Sequence, residues 1–410
     1  MSNNQEIFDL VVVGNGLMGS AAARHASMIP GTRVCIVGPR EPKDREASRD
    51  IFGCWYDEGR VYRRIASQHT WSVLATESVA RYRQIEDLSG IKFYHEVGYL
   101  HATPDPAEFQ ELMECSRRQG LEALEVTHNW KDLFPHFNLP EDSFVFWEKS
   151  NAGHLSPRNL VAAQQKVATK NGAVVLDAVV STIVPSAGGS HRWEIVTDCN
   201  RTILGQKVLV AVGGSASLRP LFRHVARGLQ PHLQLKTQTV AFLRIGEQEA
   251  DRLRDMPTFF TNDAFENLDG AYGLPPIKYP DGHWYLKIGH NRQYEKKIST
   301  RSEISEWYAI TRGHPEGVPR LAEFLKSLLP GLKVEAVSGD GCITSHTPNE
   351  EPFIDLITEG FGVALGGNRW AAKSSDEIGR LAARLLVLDE WQSEIPRDRV
   401  RIVWRAEHKL

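Results

Sequence analysis

The 410-residue chain is poor in cysteine, in net charge and in long apolar runs, and each shortage removes a class of protein. Its five cysteines, Cys35, Cys54, Cys115, Cys199 and Cys342, are odd in number and lack CxxC spacing, so neither a disulfide scaffold nor a zinc site is expected. Lys and Arg total 48 and Asp and Glu 51, a net charge of −3 that offers no basic excess for nucleic acid. No stretch approaches the ~20 apolar residues that span a bilayer. Residues 1–9 are polar and run straight into an apolar segment, so no secretory leader and a reducing, cytoplasmic setting are expected. The last three residues, His408-Lys409-Leu410, approach the Ser-Lys-Leu type of peroxisomal address, with His a poor substitute for the small first residue, so peroxisomal import stands as the alternative. No internal repeat or low-complexity tract is visible. With 41% hydrophobic and 24% charged residues, the composition is that of a globular enzyme or binding protein of about two domains.

What is present is clearest at the start. Residues 7–13 form an apolar, β-branched run, as in a strand buried on both faces of a parallel sheet. Gly14-Asn15-Gly16-Leu17-Met18-Gly19 follows at once, then an Ala-rich helix over 20–28 and a short strand over 33–37. A lone GxGxxG is weak, but between a buried strand and a helix it marks a dinucleotide-binding βαβ unit. Gly14 permits the tight turn, Gly16 lets backbone approach a pyrophosphate, and Gly19 lets helix and strand pack closely. The helix start at Leu17 and Met18 turns its positive dipole end to the phosphates. The usual ribose-binding acid after the second strand is missing: Val37-Gly38-Pro39 stands there. Glu41 or the backbone of the Gly-Pro turn would have to take that role.

Further along, helices are expected over 70–91 and 106–119, and another opens at Ser156-Pro157 and ends near 171–172. Strands are expected over 174–183, 191–197 and 207–212, the last running into Gly213-Gly214. Alternation within 230–289 suggests an antiparallel sheet. A helical segment covers 303–329, a strand 362–365, a turn Gly366-Gly367, and a long amphipathic helix 371–388.

Two C-terminal segments carry the most specific signal. They are Gly341-Cys342-Ile343-Thr344-Ser345-His346-Thr347-Pro348 and Gly366-Gly367-Asn368-Arg369-Trp370-Ala371-Ala372-Lys373. With the N-terminal fingerprint, and in the same order over almost the whole chain, they resemble the monomeric sarcosine oxidase family of amine-oxidising flavoenzymes, which includes N-methyltryptophan oxidase. The resemblance implies an α/β fold, α+β overall. A Rossmann-like FAD domain of the glutathione-reductase type would span 1–90, 150–229 and 330–410. A mixed-sheet substrate domain would span 91–149 and 230–329.

It also implies roles. Cys342 matches a cysteine bonded covalently to FAD, and Lys287 a lysine that activates oxygen over the flavin. Arg60 and Arg63 match paired arginines near the flavin, the second gripping the substrate carboxylate with help from Lys373. Tyr272 matches a pocket aromatic, and Val180 a residue whose backbone holds adenine. Gly213, Gly366, Gly367 and Asn368 join the cofactor set. The implied reaction is oxidation of a secondary amine or cyclic imino acid bearing a carboxylate, giving imine and hydrogen peroxide, in a monomer without metal, membrane or nucleic acid. A guanidinium fork suits a carboxylate, and an ammonium stabilises negative charge on reduced oxygen. Other readings are a dehydrogenase with a different acceptor, a nicotinamide enzyme, and a non-catalytic flavin binder. The chain departs from the family at Trp55-Tyr56, Thr344-Ser345 and Arg369-Trp370, so sarcosine itself does not transfer as substrate. The Trp370 indole is placed where it would stack on flavin or on an aromatic or cyclic substrate.

Overall fold

The computed structural model describes residues 6–43, 51–188, 191–262, 270–290, 294–310 and 312–406. His408-Lys409-Leu410 therefore lies outside the described residues. The strand Ile7–Val13, rich in β-branched residues, is flanked by Val34–Val37 on one side and Thr202–Val210 on the other, both parallel to it. Its Leu10, Val11 and Val12 are wholly buried, which is why the run shows no alternation. Val34–Val37 in turn pairs with Val174–Leu176, and Thr202–Val210 also pairs with Phe361–Leu365 and with Trp193–Thr197. The helices Leu17–Ser27, His69–Ser89, Pro157–Lys170 and Ala371–Leu388 pack together beside this sheet. Ser156 caps the third as expected, accepting from the Asn159 amide at 3.1 Å.

These helices are pinned by a buried carboxylate. Asp376 accepts from Arg24 at 2.9 Å, Gln164 at 2.8 Å and Arg81 at 2.7 Å, one donor from each of the other three helices. Against the opposing effect of burial, His25 and then Arg24 and Arg81 hold Asp376 well below the usual carboxylate range. The network fixes the start of the Ala371–Leu388 helix, on which Lys373 sits.

Among the described residues the second sheet has nine strands. Its centre is Gln234–Ile245, antiparallel to Trp284–His290 on one side and Ala336–His346 on the other. Ala271–Lys278 and Thr258–Thr261 continue it. A three-stranded sheet, Arg60–Tyr62, Gly153–Leu155 and Tyr94–His95, lies between the two.

Three expectations need correction. Residues 174–183 are two strands, Val174–Leu176 and Val180–Pro185, because the chain turns from the Val34–Val37 strand to pair with Trp193–Thr197. Residues 303–329 hold two helices, Arg301–Ile310 and Gly317–Leu328, since Gly313 at φ +83° and Pro315 interrupt the run. The Ala336–His346 strand, within the segment expected in the FAD domain, belongs to the nine-stranded sheet, drawn there by eleven residue pairings with Gln234–Ile245.

Candidate active site

Two joined cavities run between the sheets. The first, about 180 Å³, is lined by Gly14, Gly16, Leu17, Met18, Val180, Gly213, Gly366 and Gly367, all expected to touch a dinucleotide. Its shape depends on absent side chains. Gly14 adopts φ +119°, and a Cβ there would sit 2.3 Å from the Ala211 carbonyl oxygen. A Cβ on Gly19 would lie 1.9 Å from the Gly14 oxygen, so Gly19 serves helix–strand packing and is not in the wall. No side chain caps the first helix, which leaves its leading amides for an anion. Val37, Gly38 and Pro39 also line this cavity.

Two of the expected cofactor residues are placed elsewhere. Glu41 does not line the cavity, and its carboxylate is bound by the Arg158 guanidinium at 2.7 and 2.8 Å. The Asn368 side chain is buried and accepts from the Thr347 amide at 2.9 Å, so it shapes the turn without lining either cavity. Trp55, expected to shape the substrate pocket, packs against Gly16 in the dinucleotide cavity, whereas Tyr56 lines both.

The second cavity, about 260 Å³, shares Gly53, Cys54 and Tyr56 with the first. Its roof follows from strand register. Directly paired residues share a sheet face, and alternate residues return to it. Cys342 pairs with Gln238, Asp340 with Val240, and Lys287 with Phe242. Tyr272 pairs with Gly289 and with Phe260. Gln238, Val240, Phe260, Tyr272, Lys287, Asp340 and Cys342 therefore point the same way, into the cavity. The floor comes from Arg60 and Arg63 and from Arg369, Trp370 and Lys373. Sequence positions more than 300 residues apart are thus brought to one space.

The charges divide into two groups. Lys287, 2% exposed, ion-pairs with Asp57 and donates to the Gly59 carbonyl at 2.9 Å. Asp57 also ion-pairs with Arg60 and accepts from the Tyr279 hydroxyl at 2.9 Å. Burial, then the Arg60 guanidinium, pull Lys287 well below its ordinary lysine value. Arg63 and Lys373 form the second group. Arg63 stands 5.1 Å over the Tyr99 ring and donates to the Ile65 carbonyl at 2.6 Å. Buried Lys373 donates to the Arg63 carbonyl at 2.9 Å, and burial and Arg63 lower its proton affinity. Among the described residues neither has a carboxylate partner within salt-bridge distance; the neighbouring Glu148 is held by Arg64 at 2.8 Å. Arg369 is different, paired with Glu295.

Cys342 has an unexpected neighbour. Cys54 lies beside it and holds Cys342 below its ordinary thiol value, while burial acts the other way. The two sulfurs lie 3.1 and 3.7 Å from the same Ile343 oxygen. Trp370 lines the cavity and also packs edge-on to Trp71 with centroids 5.7 Å apart. Cys54, Tyr99 and Asp340 were not singled out by sequence. Asp57 stands three residues before Arg60, the only local hint of a pair, and nothing local ties it to Lys287.

A family model described as FAD-dependent oxidoreductase matches residues 9–385. The chain belongs to that FAD-dependent oxidoreductase family. Over 402 residues the enzyme is 27% identical to monomeric sarcosine oxidase of Arthrobacter sp. (strain TE1826), covering 95% of this chain and 94% of that one. It is 24% identical over 392 residues to N-methyl-L-tryptophan oxidase of Yersinia pestis (strain Pestoides F), covering 92% and 94%. Among solved structures, NikD, an amino acid oxidase of nikkomycin biosynthesis, superposes with TM-score 0.74 at 20% identity, covering 99% of this enzyme and all of NikD. L-proline dehydrogenase from P. horikoshii superposes with TM-score 0.73 at 16% identity, covering 96% of each chain. An oxidase and a dehydrogenase thus share the fold, which leaves the electron acceptor to the side chains of the site.

Proposed function

We propose that the enzyme is an FAD-dependent oxidase of a secondary amine or cyclic imino acid bearing a carboxylate. The observation that carries this reading is the Arg63–Lys373 pair, two cations beside an aromatic-walled cavity with no carboxylate of their own among the described residues. The amine loses two electrons and two protons to give an imine, which water hydrolyses, and dioxygen takes them up as hydrogen peroxide. FAD, when bound, supplies the two-electron acceptor for the C–H bond next to nitrogen.

The chain's own groups do the rest. The backbone around Gly14, Gly16, Val180 and Gly366 holds the dinucleotide, with the Gly38-Pro39 turn rather than Glu41 left to meet the ribose. Arg63 forks the substrate carboxylate and Lys373 adds a point charge. The cationic surroundings also favour the neutral amine, which keeps its lone pair for oxidation. Tyr99, Phe260, Tyr272 and Trp370 exclude water and position the carbon skeleton. Lys287 offers an ammonium to reduced oxygen. Cys342, with Cys54 favouring its thiolate, is placed to tether the flavin.

A screen of secondary amines and imino acids for peroxide release tests the reading. Carboxylates should turn over and their neutral amides should not. Equal turnover of both would overturn it. Flavin should stay on the acid-denatured polypeptide and be released from Cys342→Ala; wild-type protein that sheds all its flavin would remove the tether. A dehydrogenase is the second reading, that of the L-proline dehydrogenase with which this chain shares its fold. It would leave reduced flavin persisting in air.

A further inference from the structure

Asp57 is a buried carboxylate, 8% exposed, in the wall of the second cavity. Four donors converge on it: the Lys287 ammonium, the Arg60 guanidinium, the Tyr279 hydroxyl at 2.9 Å and the Glu58 amide at 2.7 Å. Its own backbone is fixed by the Asp57 amide donating to the Trp55 carbonyl at 2.8 Å. We propose that Asp57 is the positioning residue that keeps Lys287 charged at the face where oxygen reacts, and so sets the enzyme's reactivity toward dioxygen. The proposal rests on the assignment of Lys287 to the oxygen reaction.

Charge balance in this buried site decides which group keeps its proton. Arg60 and Lys287 bring two positive charges and Asp57 one negative, leaving one net positive charge shared by the three. Without the carboxylate, two cations would face each other under burial. Arg60 cannot yield its proton, because guanidinium stays charged at any pH a protein survives. Lys287 can. The charge would then remain on Arg60, whose guanidinium donates to the Gly59 and Cys54 carbonyls at 3.0 and 2.9 Å, and would be lost from the lysine. The Ala336–His346 strand contributes Asp340 and Cys342, which favour the charge on Lys287 less than burial and Arg60 oppose it. The Gln234–Ile245 strand presents the Phe242 ring, 5.8 Å from the Lys287 nitrogen. The Ala271–Lys278 strand presents Tyr272 and Leu274, and Tyr279 just beyond it touches Asp57 rather than the lysine. Beyond Asp57, Glu58 is already held by Arg158. Of these acids only Asp57 is in contact with the ammonium.

The test reads the lysine directly. Protein carrying lysine labelled with carbon-13 at Cε is titrated by NMR, the Lys287 resonance being assigned by its absence from Lys287→Met. Titrated between about pH 6 and about pH 8, Lys287 of Asp57→Asn should lose its proton at a lower pH than Lys287 of wild type. Flavin reoxidation after anaerobic reduction should be level over this range in wild type. In Asp57→Asn it should slow about tenfold for each pH unit above the new midpoint and recover in acid. Asp57→Glu should restore the level profile, and it carries the test if the amide variant does not fold. An identical Lys287 titration in Asp57→Asn and wild type would overturn the proposal. So would reoxidation slowed equally at every pH, the mark of a merely structural residue. Failure of the amine screen would remove the proposed reaction while leaving the lysine titration to decide on Asp57.

Discussion

Along the dinucleotide cavity the wall is largely backbone and apolar side chain, and Arg219 is its one charged member among the described residues. The adjoining cavity carries Arg60, Arg63, Lys287, Arg369 and Lys373 against Asp57 and Asp340. The first is made by what glycine omits; the second by what distant segments supply. A phosphate chain common to many reactions needs amides and space, both available from a single βαβ unit. A particular substrate and oxygen need charges at set distances in a dry space, which a single unit cannot hold against their repulsion and desolvation.

Substitutions should separate the two regions. The largest effect is expected from Gly19→Ala, where a methyl group would strike the Gly14 carbonyl. Bound flavin per chain, measured by absorbance, should fall to near zero. A variant that kept its flavin but bound substrate poorly would break the division drawn here. Next, Arg63→Ala and Lys373→Ala should each raise KM for carboxylate substrates by roughly 30-fold to several thousand-fold, the range for removing one partner of a buried charged contact. Neither should release flavin, and neutral analogues should respond little. Steady-state kinetics on paired acid and amide substrates decides this.

Lys287→Met should slow reoxidation by about 10²-fold while changing flavin reduction far less, comparable to loss of one preorganised electrostatic group. Stopped-flow traces of the two half-reactions provide the check, and an unchanged reoxidation rate would remove the lysine from the oxygen step. The smallest effect concerns the support beneath the arginine strand. His154 pairs with Val61, stacks on His95 at 4.7 Å and is held by burial down to about 3. Because its folded value lies below the unfolded one, the unfolded chain takes up the proton first as pH falls. The stability present above about pH 6.5 is therefore lost on acidification toward the folded value. His154→Phe should remove about 2 kcal/mol of the loss between pH 7 and pH 5, seen as a flatter Tm profile.

Sequence and structure agree best where contacts are local. The amphipathic run over 371–388 is the helix Ala371–Leu388, and the Gly-rich loop lies between strand and helix as its spacing implied. Agreement weakens where partner choice matters. The apolar stretch 174–183 reads as one strand because propensity carries no record of which neighbour each half will meet. Cys342 was legible through its motif. Cys54, with no motif around it, became visible only when the Ile343 carbonyl brought the two thiols together.

The sequence by itself determined the dinucleotide loop, the helix that follows it and the set of cations available for a substrate. Periodicity and glycine placement act within a few residues, so no partner is needed to read them. Only the tertiary structure decided which cation keeps a free face. It gave Asp57 to Lys287 and Arg60, Glu41 and Glu58 to Arg158, and Glu295 to Arg369, and among the described residues it left Arg63 and Lys373 without a carboxylate of their own. The reason is that charge pairing falls off within a few ångströms, and those distances are set by the pairing of strands and the packing of helices far apart in the chain.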